Sequence, residues 1–132
     1  MKEVNVVGAV IVNEEKEILC ALRSEEMTLP LFWEFPGGKI EKNERAEDAL
    51  VREIKEELDC TIEVLKKVTT TTHAYENVIV HLTTYISKII SGIPVAKEHK
   101  SLQWVPQKQL PTLNWAPADI PAVNLLTNEI KI

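Results

Sequence analysis

The sequence contains no apolar run approaching the roughly 18 residues of a membrane-spanning helix, so no membrane association is expected from it. Its first residues, Met1-Lys2-Glu3-Val4-Asn5, lack the arrangement of a secretory signal. Cysteine is scarce: Cys20 and Cys60 form no CxxC or Cys/His cluster. They read as two thiols in a reducing cytoplasm, a single disulfide being the alternative. Basic charge is not in excess either. Fifteen Lys and Arg stand against twenty Asp and Glu, a net charge of −5, which argues against a nucleic-acid polymer as partner and against a polybasic membrane anchor. A small phosphorylated substrate held by a few placed cations remains compatible. No repeat, low-complexity tract or linker divides the chain. What is present, 132 residues of which 45% are hydrophobic and 27% charged, suits one cytoplasmic domain spanning residues 1–132.

The patterning predicts an α+β fold. Val4 to Val12 is β-branched and nearly continuously apolar, as in a strand buried on both faces. Residues 13–16 form a turn, and Glu17 to Leu22 return as its partner strand. The segment from Arg23 to Gly38 carries Pro30, Pro36 and a glycine pair, and reads as an irregular loop. Ala46 to Leu58 has no Gly or Pro and many helix formers. Residues 61–74 and 78–90 are β-rich and joined by Tyr75-Glu76-Asn77, a long hairpin that Ser91-Gly92-Ile93-Pro94 ends. Residues 101–105 give a further short strand. Pro117-Ala118-Asp119-Ile120-Pro121 starts a last helix, with apolar residues at helical spacing through Ile130.

The helix 46–58 carries the chemistry. At about 100° per residue, Leu50, Ile54 and Leu58 form an apolar stripe, and Glu53, Glu56 and Glu57 share the adjacent arc. Like charges at such spacing repel by a few tenths of a kcal/mol per pair. The arc is either a solvated acidic face, partly neutralised by Arg52 and Lys55, or a collector of cations. Hard divalent ions take several carboxylate oxygens with backbone carbonyls, and Mg²⁺ adds substrate phosphates. The preceding Gly37-Gly38-Lys39 allows close backbone approach and supplies a cation, which favours a metal-bridged polyphosphate.

The spacing Gly38, five residues, Glu44, seven residues, then Arg52-Glu53-Ile54-Lys55-Glu56-Glu57 closely resembles the Nudix box of the Nudix hydrolases, here residues 38–60. The approach, Trp33-Glu34-Phe35-Pro36-Gly37-Gly38-Lys39, resembles that of MutT-like members. Lys97-Glu98-His99 and residues 117–121 look like the MutT and CTP pyrophosphohydrolase branch. One position departs: where the family has Gly after the helix, this chain has Asp59, among the few residues that tolerate positive φ.

The resemblance implies a Nudix fold, an α/β/α sandwich whose mixed sheet is flanked by helices. It implies a Mg²⁺-dependent nucleoside triphosphate pyrophosphohydrolase, with Mn²⁺ as a substitute, acting on a small-molecule nucleotide as monomer or homodimer. Oxidised nucleotides such as 8-oxo-dGTP, or CTP and dCTP, are the expected substrates. Another nucleoside diphosphate derivative, or nucleotide sensing without turnover, are the rivals. Carried over by position, Glu53, Glu56, Glu57 and Glu98, with a carbonyl at Gly37 or Gly38, would hold the metal. Glu53 or Glu98 would be the general base, and Arg52 would fix the carboxylates through an ion pair. Glu44 would either serve the site or complement the helix N-terminus. Arg23 and Lys39 would contact phosphate, and Phe35 or Tyr75 would stack on a base. Asp119 would read the base edge or cap the last helix. Ionised, it accepts from the amine of cytosine; protonated, it donates to an oxidised guanine. His73, His81 and His99 lack metal-ligand spacing and read as structural or surface residues.

Overall fold

A computed structural model describes residues 1–132. Seven strands, two α-helices and two short 3₁₀ turns follow in the order β1 (Lys2–Ile11), β2 (Glu17–Leu22), β3 (Trp33–Glu34), β4 (Gly37–Lys39), α1 (Ala46–Leu58), β5 (Thr61–Ala74), β6 (Val78–Ser91), β7 (Ser101–Pro106) and α2 (Ile120–Asn128). The 3₁₀ turns, Gln107–Thr112 and Pro117–Asp119, lie between β7 and α2.

The strands make two sheets, a four-stranded mixed sheet in the order β4-β1-β6-β5 and a three-stranded antiparallel sheet in the order β3-β2-β7. Strand β1 runs parallel to β6 and antiparallel to β4. Its apolar run serves both faces, because successive side chains point opposite ways. Val7, Ala9 and Ile11 pack with Ala49, Leu50, Ile54 and Leu58 of α1, whereas Val10 joins Val123 and Leu126 of α2. Each of the large aliphatic side chains that α1 buries is worth roughly 1.5–3 kcal/mol. The result is a mixed sheet with a helix on each side, as the α+β reading expects.

The structure corrects three local expectations. First, β2 is not the partner of β1: the two meet only at the bridge Val12–Ile18 and belong to different sheets. Second, residues 23–38 include β3, and β4 begins inside the segment, each strand paired at a sheet edge. Third, the last helix enters through the 3₁₀ turn 117–119 and is α-helical from Ile120. The hairpin β5–β6 forms as expected, with bulges that shift its register between Val64 and Lys66 and between Lys67 and Thr69. Helix α1 ends at Asp59 in the left-handed conformation (φ 57°, ψ 35°), and the Asp59 amide donates to the Lys55 carbonyl. Positive φ at the family's glycine position is retained with an Asp side chain.

Candidate active site

Strand β4 lays Gly37 and Gly38 beside Gly8 and Val7 of β1. A side chain at position 37 would strike the Val7 carbonyl, and one at 38 would strike the Glu53 carboxylate. The glycine pair is thus required by close approach, and Glu53 occupies the space that Gly38 leaves. Arg52 orients that carboxylate. Its Nη1 donates to Glu53 Oε1 at 2.9 Å, and its Nε and Nη2 bind the two oxygens of Glu44 at 2.8 and 2.9 Å. Nη2 also donates to the Lys39 carbonyl at 3.1 Å. Glu44 is therefore the partner of Arg52, and this two-point ion pair holds its carboxyl down to about 2, well below the usual range. The N-cap position of α1 belongs to Arg45.

On the adjacent arc, Glu57 is largely buried and its Oε1 has no hydrogen-bond partner. Burial, then repulsion from Glu53, Glu34 and Glu98, pushes its carboxyl up to about 8, with the Gly37 amide opposing. Burial also raises Glu53, against the pull of Arg52. Glu56 and Glu98 are exposed, and the charge of Glu98 acts on both Glu53 and Glu57. Glu98 lies on the segment between β6 and β7, which is strapped to the end of α1: the Val95 amide donates to the Leu58 carbonyl and the Lys97 amide to that of Glu57. As the side chains stand, no three His, Cys, Asp or Glu groups converge tightly enough to cage an ion.

A cavity of about 790 Å³ opens from this carboxylate end. Gly37, Gly38, Lys39 and Glu57 line one part, and Phe35, Tyr75, Ala118 and Asp119 another. Its floor is the shared face of β1 and β6, with Val4 and Val6 beside Val80 and Leu82 in register. Long-range backbone bonds bring Asp119 here: the Trp33 amide donates to the Asn114 carbonyl, and the Ala116 amide donates to that of Trp33. Asp119 is 5% exposed, and its Oδ1 accepts from the Phe35 amide at 3.3 Å. Burial, then the Glu34 charge, raises its carboxyl well above the usual range. The capping expectation fails: Asp119 already has helical φ and ψ and makes no side-chain cap bond, whereas an N-cap needs an extended backbone.

Arg23 and Phe35 also line the cavity, but both are engaged within the protein. Arg23 gives Nη1 to Glu34 at 2.7 Å, and Nε and Nη2 to the Thr28 carbonyl and hydroxyl. Phe35 is 3% exposed and packs against Trp115, ring centroids 4.7 Å apart. Tyr75 packs on His73, and its hydroxyl accepts from the Ala118 amide at 3.0 Å. Of the histidines, His81 lies on the outer sheet face bonded to Glu3 and Thr72, while the side chain of His99 is buried against Glu34. The sequence reading missed Glu34, which links Arg23 to His99, and Lys2, which lines the far end of the cavity. The only local signal for Glu34 is a carboxylate between two aromatic residues, Trp33 and Phe35.

The chain matches the NUDIX domain over residues 2–126. It is 36% identical over 121 residues to the CTP pyrophosphohydrolase of Escherichia coli K12, covering 92% of this chain and 89% of that one. It belongs to the Nudix family. A solution structure of the MutT protein, a Nudix hydrolase of methicillin-resistant Staphylococcus aureus 252, is 55% identical and superposes with a TM-score of 0.79, covering 98% of this chain and 100% of that one. The 8-oxo-dGTP diphosphatase of Escherichia coli K12 is 28% identical over 123 residues, covering 93% of this chain and 95% of that one. Nudix hydrolases use divalent metal ions. In this Nudix domain the orphaned, buried Glu57 oxygen and the Glu53 carboxylate seated on Gly38 fit such an ion chemically, since both are hard oxygen donors short of partners or crowded by like charge. No helix is long and apolar enough to cross a membrane.

Proposed function

We propose that this Nudix hydrolase is a Mg²⁺-dependent nucleoside triphosphate pyrophosphohydrolase, with Mn²⁺ as a functional substitute. Water attacks a phosphorus of the triphosphate chain, the α–β anhydride bond breaks, and nucleoside monophosphate and pyrophosphate leave. The observation that carries this reading is the single cavity joining a carboxylate end, Gly38 and Glu57, to an enclosed end at Phe35 and Asp119. Such a space suits a ligand that is polyanionic at one end and a flat heterocycle at the other.

Glu53, Glu56, Glu57 and Glu98, with the Gly38 carbonyl, are the residues that would hold the metal. A bound divalent cation neutralises phosphate charge and acidifies a water. Glu53 is the favoured general base, because it is seated against Gly38 and Arg52 fixes its direction. Lys39 meets phosphate from the cavity wall, and Arg23 acts there mainly by shaping the loop that holds Thr28. Burial favours the protonated carboxyl of Asp119, and a protonated carboxyl presents both a donor and an acceptor to the base edge. That suits 8-oxoguanine, which offers a carbonyl beside an N–H, and cytosine, which offers an amine beside a ring nitrogen. The names carried by the two Escherichia coli relatives fall in the same two substrate classes.

Nucleoside monophosphate formation from 8-oxo-dGTP, dGTP, CTP, dCTP and a nucleotide sugar, with Mg²⁺ and with pyrophosphate measured beside it, tests the reading. Turnover of a triphosphate that Glu53→Gln reduces by about 10² or more supports it. Turnover of the sugar alone, or none, overturns it.

A further inference from the structure

The residue following Glu98 is the least explained polar group near the site. The His99 side chain is completely buried, its Nε2 bonded to Glu34 Oε2 at 2.8 Å, while its Nδ1 is buried with no partner. A packing role alone would be better served by a hydrocarbon of the same size, since half of the ring's hydrogen bonding goes unmet. What the position provides is therefore the bond to Glu34. That carboxylate is itself fixed from the other side by Arg23 at 2.7 Å.

The neighbouring segment explains what such an anchor does. The Lys97 amide reaches the Glu57 carbonyl at a long 3.4 Å, and the Lys100 amide donates to the Leu22 carbonyl at 2.9 Å. Between these straps the amides of Glu98 and His99 make no backbone hydrogen bond. The buried imidazole is thus the tether of this stretch, and Glu98 emerges from it exposed, one residue after the strap to the Glu57 carbonyl. We propose that His99 is a positioning residue: its bond to Glu34 pins the segment so that Glu98 stands over the carboxylates of α1 and is available to the cation. Glu34 then joins the two ends of the cavity, since it also carries Arg23 on the wall of the same space. The proposal rests on the reading of Glu98 as a cation ligand.

The test is a double-mutant cycle on Mn²⁺ binding to the nucleotide-free protein, followed by electron paramagnetic resonance, with kcat and KM measured alongside. His99→Phe keeps the buried volume and removes the N–H. It should weaken Mn²⁺ about fivefold or more and lower kcat, leaving KM for the nucleotide within about twofold. His99→Gln, whose amide can still donate to Glu34, should recover part of the loss. In a Glu98→Gln background His99→Phe should have no further effect on Mn²⁺. Glu34→Met, at a partly exposed position, goes through the same cycle and decides the matter if the buried substitution does not fold. Additive effects of positions 98 and 99, or parental Mn²⁺ binding in His99→Phe, would overturn the role of His99 while leaving Glu98 a ligand. If Glu98→Gln alone leaves Mn²⁺ binding unchanged, the reading of Glu98 falls, and the proposal with it.

Discussion

The Arg52 guanidinium grips Glu44 at two points, Nε to Oε2 at 2.8 Å and Nη2 to Oε1 at 2.9 Å, and spends its remaining nitrogen on Glu53. The arrangement turns a surface arginine into a bracket. Glu44, before the helix, fixes the plane of the guanidinium, and that plane sets where the Glu53 carboxylate lies. Lysine carries the same charge but has no fork, so it cannot hold both carboxylates in one geometry. Arg52→Lys should therefore lower kcat by about tenfold or more, since a displacement of about 1 Å at a reacting group can cost 10²-fold. Thermal stability should change less than activity, because lysine keeps the charge beside Glu44 and Glu53 and an ion pair still partly open to solvent contributes modestly to it. Steady-state kinetics beside a melting curve checks both halves.

Gly38 tests the same carboxylate from the opposite side. A methyl group there would overlap Glu53, whose side chain must then leave its place. Gly38→Ala should fold and yet lose about 10²-fold in kcat/KM. At Gly37 the obstacle is the Val7 carbonyl, part of the backbone, so Gly37→Ala should show a lowered Tm as well. Equal melting temperatures for the two variants would contradict this distinction.

Glu57 gives the metal-free protein a pH-dependent stability with a definite sign. Its carboxyl is pushed from 4.5 up to about 8 by burial and by its acidic neighbours. Between those values the unfolded chain has released the proton and the folded one still holds it, so raising the pH favours unfolding. The contribution is fully present below 4.5 and lost as the pH rises through about 8. The Tm of the metal-free protein should fall across that window, and Glu57→Gln should flatten the fall. Mg²⁺ should stabilise the parent most at the upper end, where the carboxylate is free to bind it. A Tm that rises over the window would refute the assignment.

Asp119 decides how the base is read. A neutral carboxyl and an amide both donate and accept, so Asp119→Asn should keep kcat/KM for the preferred nucleotide within about threefold. Asp119→Leu leaves the base unpaired and should cost about tenfold or more, one hydrogen bond being worth roughly 0.5–1.5 kcal/mol and an orphaned partner more. Because burial favours the protonated carboxyl, activity resting on its proton should decline as the pH rises, and the Asn variant should not share the decline. An Asn variant that switches preference between dCTP and 8-oxo-dGTP would instead mean that Asp119 works ionised.

The sequence by itself determined whatever is written into contiguous residues. The glycine pair, the helix from Ala46 to Leu58, its apolar stripe and adjoining carboxylates, and the positive φ at Asp59 follow from spacing and local propensity. A helix projects i, i+3 and i+4 onto one face whatever surrounds it. Local sequence also carried the long hairpin, because β-rich runs on both sides of a short turn pair with each other. Tertiary structure alone decided the rest. It assigned β1 and β2 to different sheets, since apolar runs declare that they are buried and not which neighbour they pair with. It spent Arg23 on Glu34 and Thr28, joined Glu34 to His99, and set Asp119 against the Phe35 amide, 84 residues away in the chain. A sequence names donors and acceptors. Which of them meet, and which are left free to face a ligand, depends on contacts closed across many tens of residues and on the burial that those contacts impose.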